Sequence, residues 1–370
     1  MLYRRHRPNN FAQVMGQDII VKILRNFLKN RDRLPQGYLF AGTRGTGKTT
    51  TARLFAKALN CANNLDEPCN ECQLCQAINK NQFLDLIEMD AASQTGVDNI
   101  RNLKEGIGFK PIQGKYKVFI LDEAHMLSTA AWNALLKTLE EPPAGVIFIL
   151  ATTEPEKIPA TILSRVQRFD FRRAGVKEVT AKLSHIAAIE QIPVEAGALH
   201  LIAEEAQGSF RDAETLLEKL ALCVPSGSSV TEGLVEEFLG KLSQNKIIEF
   251  LEFLFKQEAK ACLDFISATY EAGFDLHLFN RSLMKLLREL LILKIHPHWQ
   301  NQLQRDYPTE FLQRLRNLSE QVSADEVKKT LRIFSEAENL LKREPPVATL
   351  PLELAVAELT SEMKSRVDED

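Results

Sequence analysis

Apolar residues in the first 171 positions fall into short, dense runs separated by stretches of helical spacing. The runs at 37–40, 84–89, 118–121 and 146–150 are short and rich in apolar residues, and read as strands. Strands alternating with helices predict an α/β domain over 1–171, a largely parallel sheet with helices on both faces. From Arg172 the strands stop. Segments 176–190, 196–206 and 212–222 repeat apolar positions at helical spacing, with Pro193, Gly208 and Pro225 as breaks, and predict a small helical lid over 172–240. Beyond it, 247–255, 279–295 and 324–342 are longer amphipathic runs punctuated by Pro297 and Pro345-Pro346, and predict a C-terminal helical docking domain over 241–370. One of these helices carries Leu283, Leu286, Leu287, Leu290, Leu291 and Leu293 over so wide a face that it is either the middle of a bundle or a subunit interface. The end, Asp368-Glu369-Asp370, reads as solvated.

Composition narrows the class. A chain of 370 residues with 45% hydrophobic content can bury the cores of two or three domains, which excludes disorder. Its net charge of -3 is not that of a stand-alone nucleic-acid binder, so DNA contact would need a local patch or an assembly. Arg4, Arg5 and Arg7 precede no apolar stretch, and no run approaches the ~20 apolar residues of a membrane span. A cytoplasmic protein without a membrane segment is the expectation. Cys223 and Cys262 stand alone and read as buried small apolar residues. The other four cysteines crowd into one short segment, which in a reducing compartment favours metal over disulfides.

The strongest motif is Gly42-Thr43-Arg44-Gly45-Thr46-Gly47-Lys48-Thr49, a P-loop between a predicted strand and a predicted helix. Its glycines let backbone N–H groups curl round a phosphate, at the positive end of the following helix. Lys48 would reach the β- and γ-phosphates of ATP, and the Thr49 hydroxyl would bind Mg²⁺. Thr50 and Thr51 read as helix surface or packing. Farther on, a buried strand ends in Asp122-Glu123-Ala124-His125, a Walker B pattern. Asp122 would hold Mg²⁺ through water, and Glu123 would polarise the water that attacks the γ-phosphate. Alone, such a pair often caps a helix; the P-loop upstream gives it meaning. His125 reads as a hydrogen-bonded turn residue with no chemical role.

The strand at 146–150 leads to Thr153, a candidate sensor beside the γ-phosphate if its strand lies between those of the two earlier motifs. Arg165 ends a helix on the surface, where a lone arginine is ordinarily a solvated charge. Cys61, Cys69, Cys72 and Cys75 are separated by seven, two and two residues. Four thiolates suit a tetrahedral Zn²⁺ at about 2.3 Å with no open position, a structural site; an iron–sulfur cluster would lack a redox context. The metal would staple the insert at 61–75, whose early part is poor in apolar residues.

The P-loop, Asp122 to Leu127, Ala134-Leu135-Leu136-Lys137-Thr138-Leu139-Glu140-Glu141-Pro142-Pro143 and Ile162-Leu163-Ser164-Arg165 together resemble the gamma/tau subunit family of bacterial DNA polymerase III, the AAA+ ATPase of the sliding-clamp loader. The resemblance spans most of the chain. It implies an AAA+ P-loop domain, a lid and a collar domain through which several subunits join. It also implies an ATP hydrolase that opens the sliding clamp (beta) and loads it on primer–template DNA. The partners implied are delta and delta-prime subunits, further copies of the chain, and DNA held through phosphates without sequence specificity. Arg165 would be an arginine finger for ATP on the adjacent subunit; Val166 departs from the family's usual cysteine there. Within Gly208-Ser209-Phe210-Arg211-Asp212, Arg211 would be a second sensor touching the nucleotide phosphates. Residues 3–8 and 11–17 resemble the family's adenine-pocket segment, though the first six residues could equally be a floppy basic end. Gln94 and Gly96 stand where relatives carry basic residues, leaving Arg101 and Lys104 as ordinary surface charge or nearby DNA contacts.

Three other classes are weighed against this. A delta-prime-like scaffold would have a degraded P-loop, against the intact Lys48-Thr49 and Asp122-Glu123. A DEAH-type helicase shares Asp122 to His125 but needs a second motor core, for which the helical region after Gly240 has no room. A zinc-organised module using ATP only structurally would not need Glu123.

Overall fold

The structure, a computed structural model, describes residues 1–63, 66–93, 110–225, 227–240, 242–296, 303 and 309–361. Gln94, Gly96, Arg101, Lys104 and the acidic end at 368–370 lie outside the described residues. Two units form, Met1–Thr231 and Glu232–Asp370.

The first unit is built on five parallel strands: β1 (Gly37–Ala41), β2 (Leu86–Asp90), β3 (Lys117–Asp122), β4 (Val146–Thr152) and β5 (Gln167–Asp170). Their spatial order is β2-β3-β4-β1-β5. Gly37 stands opposite Phe148, and Lys117 opposite Val146. Four strands match the apolar runs to within two residues. β5 is absent from the sequence reading because Gln167, Arg168 and Asp170 are exposed and Phe169 alone is buried, the pattern of an edge strand.

Strand residues alternate between two cores. On one face Tyr38, Phe40, Ile120 and Ile149 pack with Leu24 of α2 (Asp18–Lys29) and with Leu54 and Phe55 of α3 (Lys48–Asn60). Tyr38 and Phe55 meet edge-on with ring centroids 5.1 Å apart. On the other face Leu39, Phe119, Phe148 and Leu150 pack with Trp132 and Leu135 of α5 (Thr129–Glu140) and Ile162 of α6 (Ala160–Leu163). Helices thus cover both faces, and the ends of β1, β3 and β4 converge on one edge of the core. Among the described residues this part also has two short helices, α1 (Leu2–Arg5) and α4 (Gln73–Asn79).

Three helices follow: α7 (Val176–Glu190), α8 (Ala196–Glu205) and α9 (Phe210–Cys223). α9 starts before the expected 212 because the Ser209 hydroxyl caps it, accepting from the Asp212 N–H at 3.2 Å. Cys223 corrects an expectation. It ends α9 just before Pro225 and is exposed, whereas Cys262 is buried as its surroundings in sequence suggested.

The second unit is helical: α10 (Glu232–Phe238), α11 (Gln244–Phe255), α12 (Ala259–Glu271), α13 (Leu276–Ile295), α14 (Thr309–Gln321), α15 (Ala324–Leu341) and α16 (Leu350–Ser361). The leucine-rich α13 is its middle: Leu283, Leu286, Leu287 and Leu290 are buried there, with Leu291 and Leu293 packed alongside. Asn280 of α13 donates to the Phe334 carbonyl and to Glu338 Oε2 of α15, which fixes the register of this pair. No helix among the described residues is long and apolar enough to cross a membrane.

Candidate functional site

The P-loop leaves the end of β1, and the Gly42 N–H donates to the Thr152 carbonyl at 3.1 Å, tying it to β4. Gly42 has φ +152, and a Cβ there would come within 2.5 Å of the Phe171 carbonyl oxygen. Gly45 has φ +78, and its Cβ would lie 1.9 Å from Ser209 Oγ. Only glycine lets the loop approach the helix α9 so closely, where the Phe210 N–H donates to the Gly45 carbonyl. Lys48 opens α3 and is buried; its Nζ donates to the Gly42 and Thr43 carbonyls at 2.7 and 3.0 Å. Burial draws the Lys48 pKa down, against the pull of Glu123 and Asp122. Thr46 donates to the Thr43 carbonyl, holding the loop closed on itself.

β3 brings its carboxylates to the same edge. Thr49 Oγ1 donates to Asp122 Oδ2 at 2.6 Å, so the hydroxyl and carboxylate expected to share a magnesium ion already touch. Glu123 sits in the left-handed region, φ 47° and ψ 44°, a conformation that costs a non-glycine residue about 1–3 kcal/mol. The turn swings its carboxylate toward β4, where Thr153 Oγ1 donates to Glu123 Oε2 at 3.1 Å. β4 lies between β3 and β1, the order on which the candidacy of Thr153 depended. His125 bridges Thr152 Oγ1 and Glu154 Oε1 at 3.1 and 3.0 Å, a hydrogen-bonded turn residue. Thr51 is buried, and Thr50 accepts from Arg7 Nε at 3.2 Å.

These groups open on a cleft of about 850 Å³. Arg44 to Thr49, Asp122 and Glu123 line one side; Phe210, Arg211 and Glu214 of α9 line another; Tyr3, Arg7, Pro8, Val14 and Met15 close it. The beginning of the chain is therefore an ordered wall. The Leu2 N–H donates to Glu218, while Arg5 and His6 both reach Glu190 at 2.6 Å. Arg211 lies over the Tyr3 ring, 4.8 Å from its centroid. Lys48, Arg7 and Arg211 outface two carboxylates at the loop, an electrostatic balance suited to a polyphosphate.

Arg165 stands apart from this cleft. The Arg165 carbonyl is 3.2 Å from where a Gly37 Cβ would be, at the start of β1, whereas the P-loop leaves its end. Four rises along the five residues of β1 put these ends about 13 Å apart. The guanidinium pairs with Glu140 at 2.7 Å and bonds the Thr161 carbonyl and Ser164 Oγ. Val166 packs against Gly37 and the apolar core of that sheet face.

The four cysteines also converge. Cys61 ends α3, and Cys72 caps α4, accepting at Sγ from the Cys75 N–H; Cys69 Sγ accepts from the Cys72 N–H at 3.3 Å. All four Sγ atoms lie within 4.8 Å of one another, with Cys69 and Cys75 3.9 Å apart. A tetrahedral ion with ~2.3 Å bonds needs sulfurs about 3.8 Å apart, so the cluster fits one with little movement. Backbone donors, that of Cys72 foremost, lower the Cys69 thiol to about 6, whereas burial raises that of Cys75.

One contact and one residue escaped the sequence reading. Arg7 lies in the 3–8 segment expected at the adenine pocket, but nothing in its local pattern marks its bond to Thr50 on the P-loop helix. Glu214 is buried on the cleft wall, its carboxylate 2.7 Å from Lys182 Nζ, and burial raises its pKa. Here a signal existed: Glu214 falls on the stripe Phe210, Ala213, Leu217, Leu220, all buried, where a charge is out of place.

A parallel sheet in the order β2-β3-β4-β1-β5, with a P-loop after β1 and an acidic pair after β3, defines a P-loop protein of the AAA+ class. Family models agree along the chain: "DNA polymerase III, delta subunit" matches residues 16–175, "DNA polymerase III clamp loader subunit, ATPase lid domain" 178–220, and "DNA polymerase III subunits gamma and tau domain III" 230–364. DNA polymerase III subunit gamma of Buchnera aphidicola is 40% identical over 301 residues, covering 80% of each chain. DNA polymerase III subunit tau of Bacillus subtilis is 40% identical, over 92% of this chain and 60% of that protein. The tau subunit of Escherichia coli is 39% identical, over 80% of this chain and 46% of that protein. The chain thus belongs to the DNA polymerase III gamma/tau family, and spans about half the length of the tau relatives.

Proposed function

We propose that the chain is the ATPase subunit of a clamp loader, coupling ATP binding and hydrolysis to the opening of a sliding clamp and its placement on primed DNA. The observation that carries this is the contact of Thr49 with Asp122 beside the Glu123–Thr153 pair, at the mouth of an intact P-loop. A delta-prime-like scaffold would need none of these groups.

In this reading the backbone of Gly42, Thr43, Arg44, Gly45, Thr46 and Gly47 cradles the phosphates, and Lys48 exchanges its loop carbonyls for the β- and γ-oxygens. Thr49 and Asp122 would hold Mg²⁺, which neutralises phosphate charge when bound. Glu123 orients and polarises the attacking water, with Thr153 fixing its carboxylate. Arg211 reaches the phosphates from the lid. Arg165, too far from its own loop, serves the nucleotide of a neighbouring copy, leaving Glu140 to do so. Cys61, Cys69, Cys72 and Cys75 hold a structural Zn²⁺. The corresponding division is an AAA+ domain at 1–171, a lid at 172–240 and a collar at 241–370. Its partners would be delta and delta-prime subunits, further copies of itself, the beta clamp, and primer–template DNA bound without sequence preference, all in the cytoplasm.

The test is reconstitution with a clamp, delta and delta-prime subunits and primed DNA, reading ATP-dependent clamp loading. Loading that needs ATP and is lost with Lys48→Ala supports the proposal. Loading that proceeds equally with Lys48→Ala in every copy overturns it.

A further inference from the structure

The cysteine module and the nucleotide cleft share a set of polar contacts centred on a buried lysine that the proposed hydrolysis does not use. Lys57 lies on α3, nine residues beyond Lys48, or about 13 Å along the helix. Its side chain is buried, at 3% exposure. Its Nζ donates to Asn70 Oδ1 at 2.6 Å and to Asn79 Oδ1 at 3.0 Å. Asn70 stands between Cys69 and Cys72 in the left-handed region, at φ 63°, so the turn that presents those thiols also sets its position. The amide of Asn70 in turn donates to the Asn9 carbonyl at 3.1 Å. Asn9, Lys57 and Asn79 all line the nucleotide cleft, and Arg7, two residues before Asn9, bonds Thr50 on α3. One wall of the cleft is therefore pinned at Thr50 on one side and at the cysteine turn on the other.

We infer that Lys57 and Asn70 are positioning residues that couple the cysteine module to the nucleotide cleft, so that metal and nucleotide each tighten binding of the other. This rests on the proposed reading of the P-loop. A buried ammonium must keep its acceptors, because losing them leaves an uncompensated charge in a low dielectric. Four thiolates around a divalent ion carry a net charge of about -2, and Lys57 is a buried cation in the last turn of the helix that ends at Cys61. An ion that fixes the Cys69–Cys72 turn fixes Asn70, and with it the Asn9 wall and the packing of α3. Release of the ion frees the turn, and the cost of holding the wall in place falls on the nucleotide. Linkage is reciprocal, so the factor by which metal improves nucleotide affinity equals the factor by which nucleotide improves metal affinity.

The experiment uses the full chain and a fluorescent ATP analogue with saturating Mg²⁺, titrated into zinc-loaded and chelator-stripped protein. In parallel, zinc affinity is read by competition with a chromophoric chelator, with and without the nucleotide. The expected coupling is about 5- to 20-fold and equal in the two directions. Asn70→Gly keeps the left-handed turn while removing the side-chain bonds, and Lys57→Met keeps the bulk while removing the charge; each should bring the factor to within about twofold of one. Coupling that arose only because stripping unfolds the chain would persist in Asn70→Gly and overturn the inference. Equal nucleotide affinity of zinc-loaded and stripped wild type overturns it as well. Failure of the zinc-loaded chain to bind nucleotide at all overturns the P-loop reading beneath it.

Discussion

Replacing Glu123 with Gln separates chemistry from binding. The two side chains share shape, and glutamine meets no new obstacle at φ 47°, so the turn after β3 should persist. The Thr153 hydroxyl can still donate to an amide oxygen, which preserves the 3.1 Å contact that orients the group. Lys48, Thr49 and Asp122 are untouched, so nucleotide affinity should stay within about threefold, under about 0.7 kcal/mol. What disappears is a carboxylate able to accept a proton from, or polarise, the attacking water. General-base assistance contributes about 10²- to 10⁴-fold, or roughly 3–5 kcal/mol of barrier. Removing a negative charge 3.5 Å from His125 Nδ1 is a smaller perturbation, since Glu154 still faces the ring. The assay is steady-state phosphate release in the assembled complex, paired with equilibrium binding of a fluorescent nucleotide. Tight binding with turnover down at least a hundredfold is the expected result. Turnover within about threefold of wild type would refute the role given to Glu123, and lost binding would show instead that the strained turn had collapsed.

Arg165→Ala should leave nucleotide affinity of the isolated chain unchanged and abolish clamp-stimulated hydrolysis in the complex; weaker binding by the single chain would contradict its placement at the opposite end of β1 from its own loop. Gly45→Ala should cost about 1–3 kcal/mol from its positive φ and the collision with Ser209, read as nucleotide affinity about 5- to 150-fold weaker by titration; unchanged affinity would mean that the loop–helix approach is unimportant. Glu178 is held below its ordinary pKa by the Arg172 guanidinium first and by the Gly175 N–H. Its contribution is therefore present above the unfolded value of about 4.3 and lost as pH falls through the lower folded value. Acid denaturation followed by circular dichroism should show that loss in wild type, and a shallower slope in the same window for Arg172→Ala.

The amino-acid sequence determined the elements whose signal is local. Apolar runs marked β1, β3 and β4, which are buried on both faces, and the edge strand β2, helical spacing marked the lid and collar, and motif spacing marked the phosphate loop, the acidic pair and the four cysteines. β5 escaped because this edge strand buries one residue in four and so has no apolar run to detect. Sheet order, the placement of Thr153 beside Glu123, and the distance that removes Arg165 from its own loop were decided by tertiary structure, since each depends on which strands pair. The same holds for Lys57 and Glu214, and for the contacts of Tyr3 and Arg7 within a segment already expected at the pocket, since these come from segments far apart in the chain meeting at one cleft. Spacing records what a residue does to its neighbours in the chain; burial of a charge, and the partners that make it tolerable, exist only once distant segments have packed.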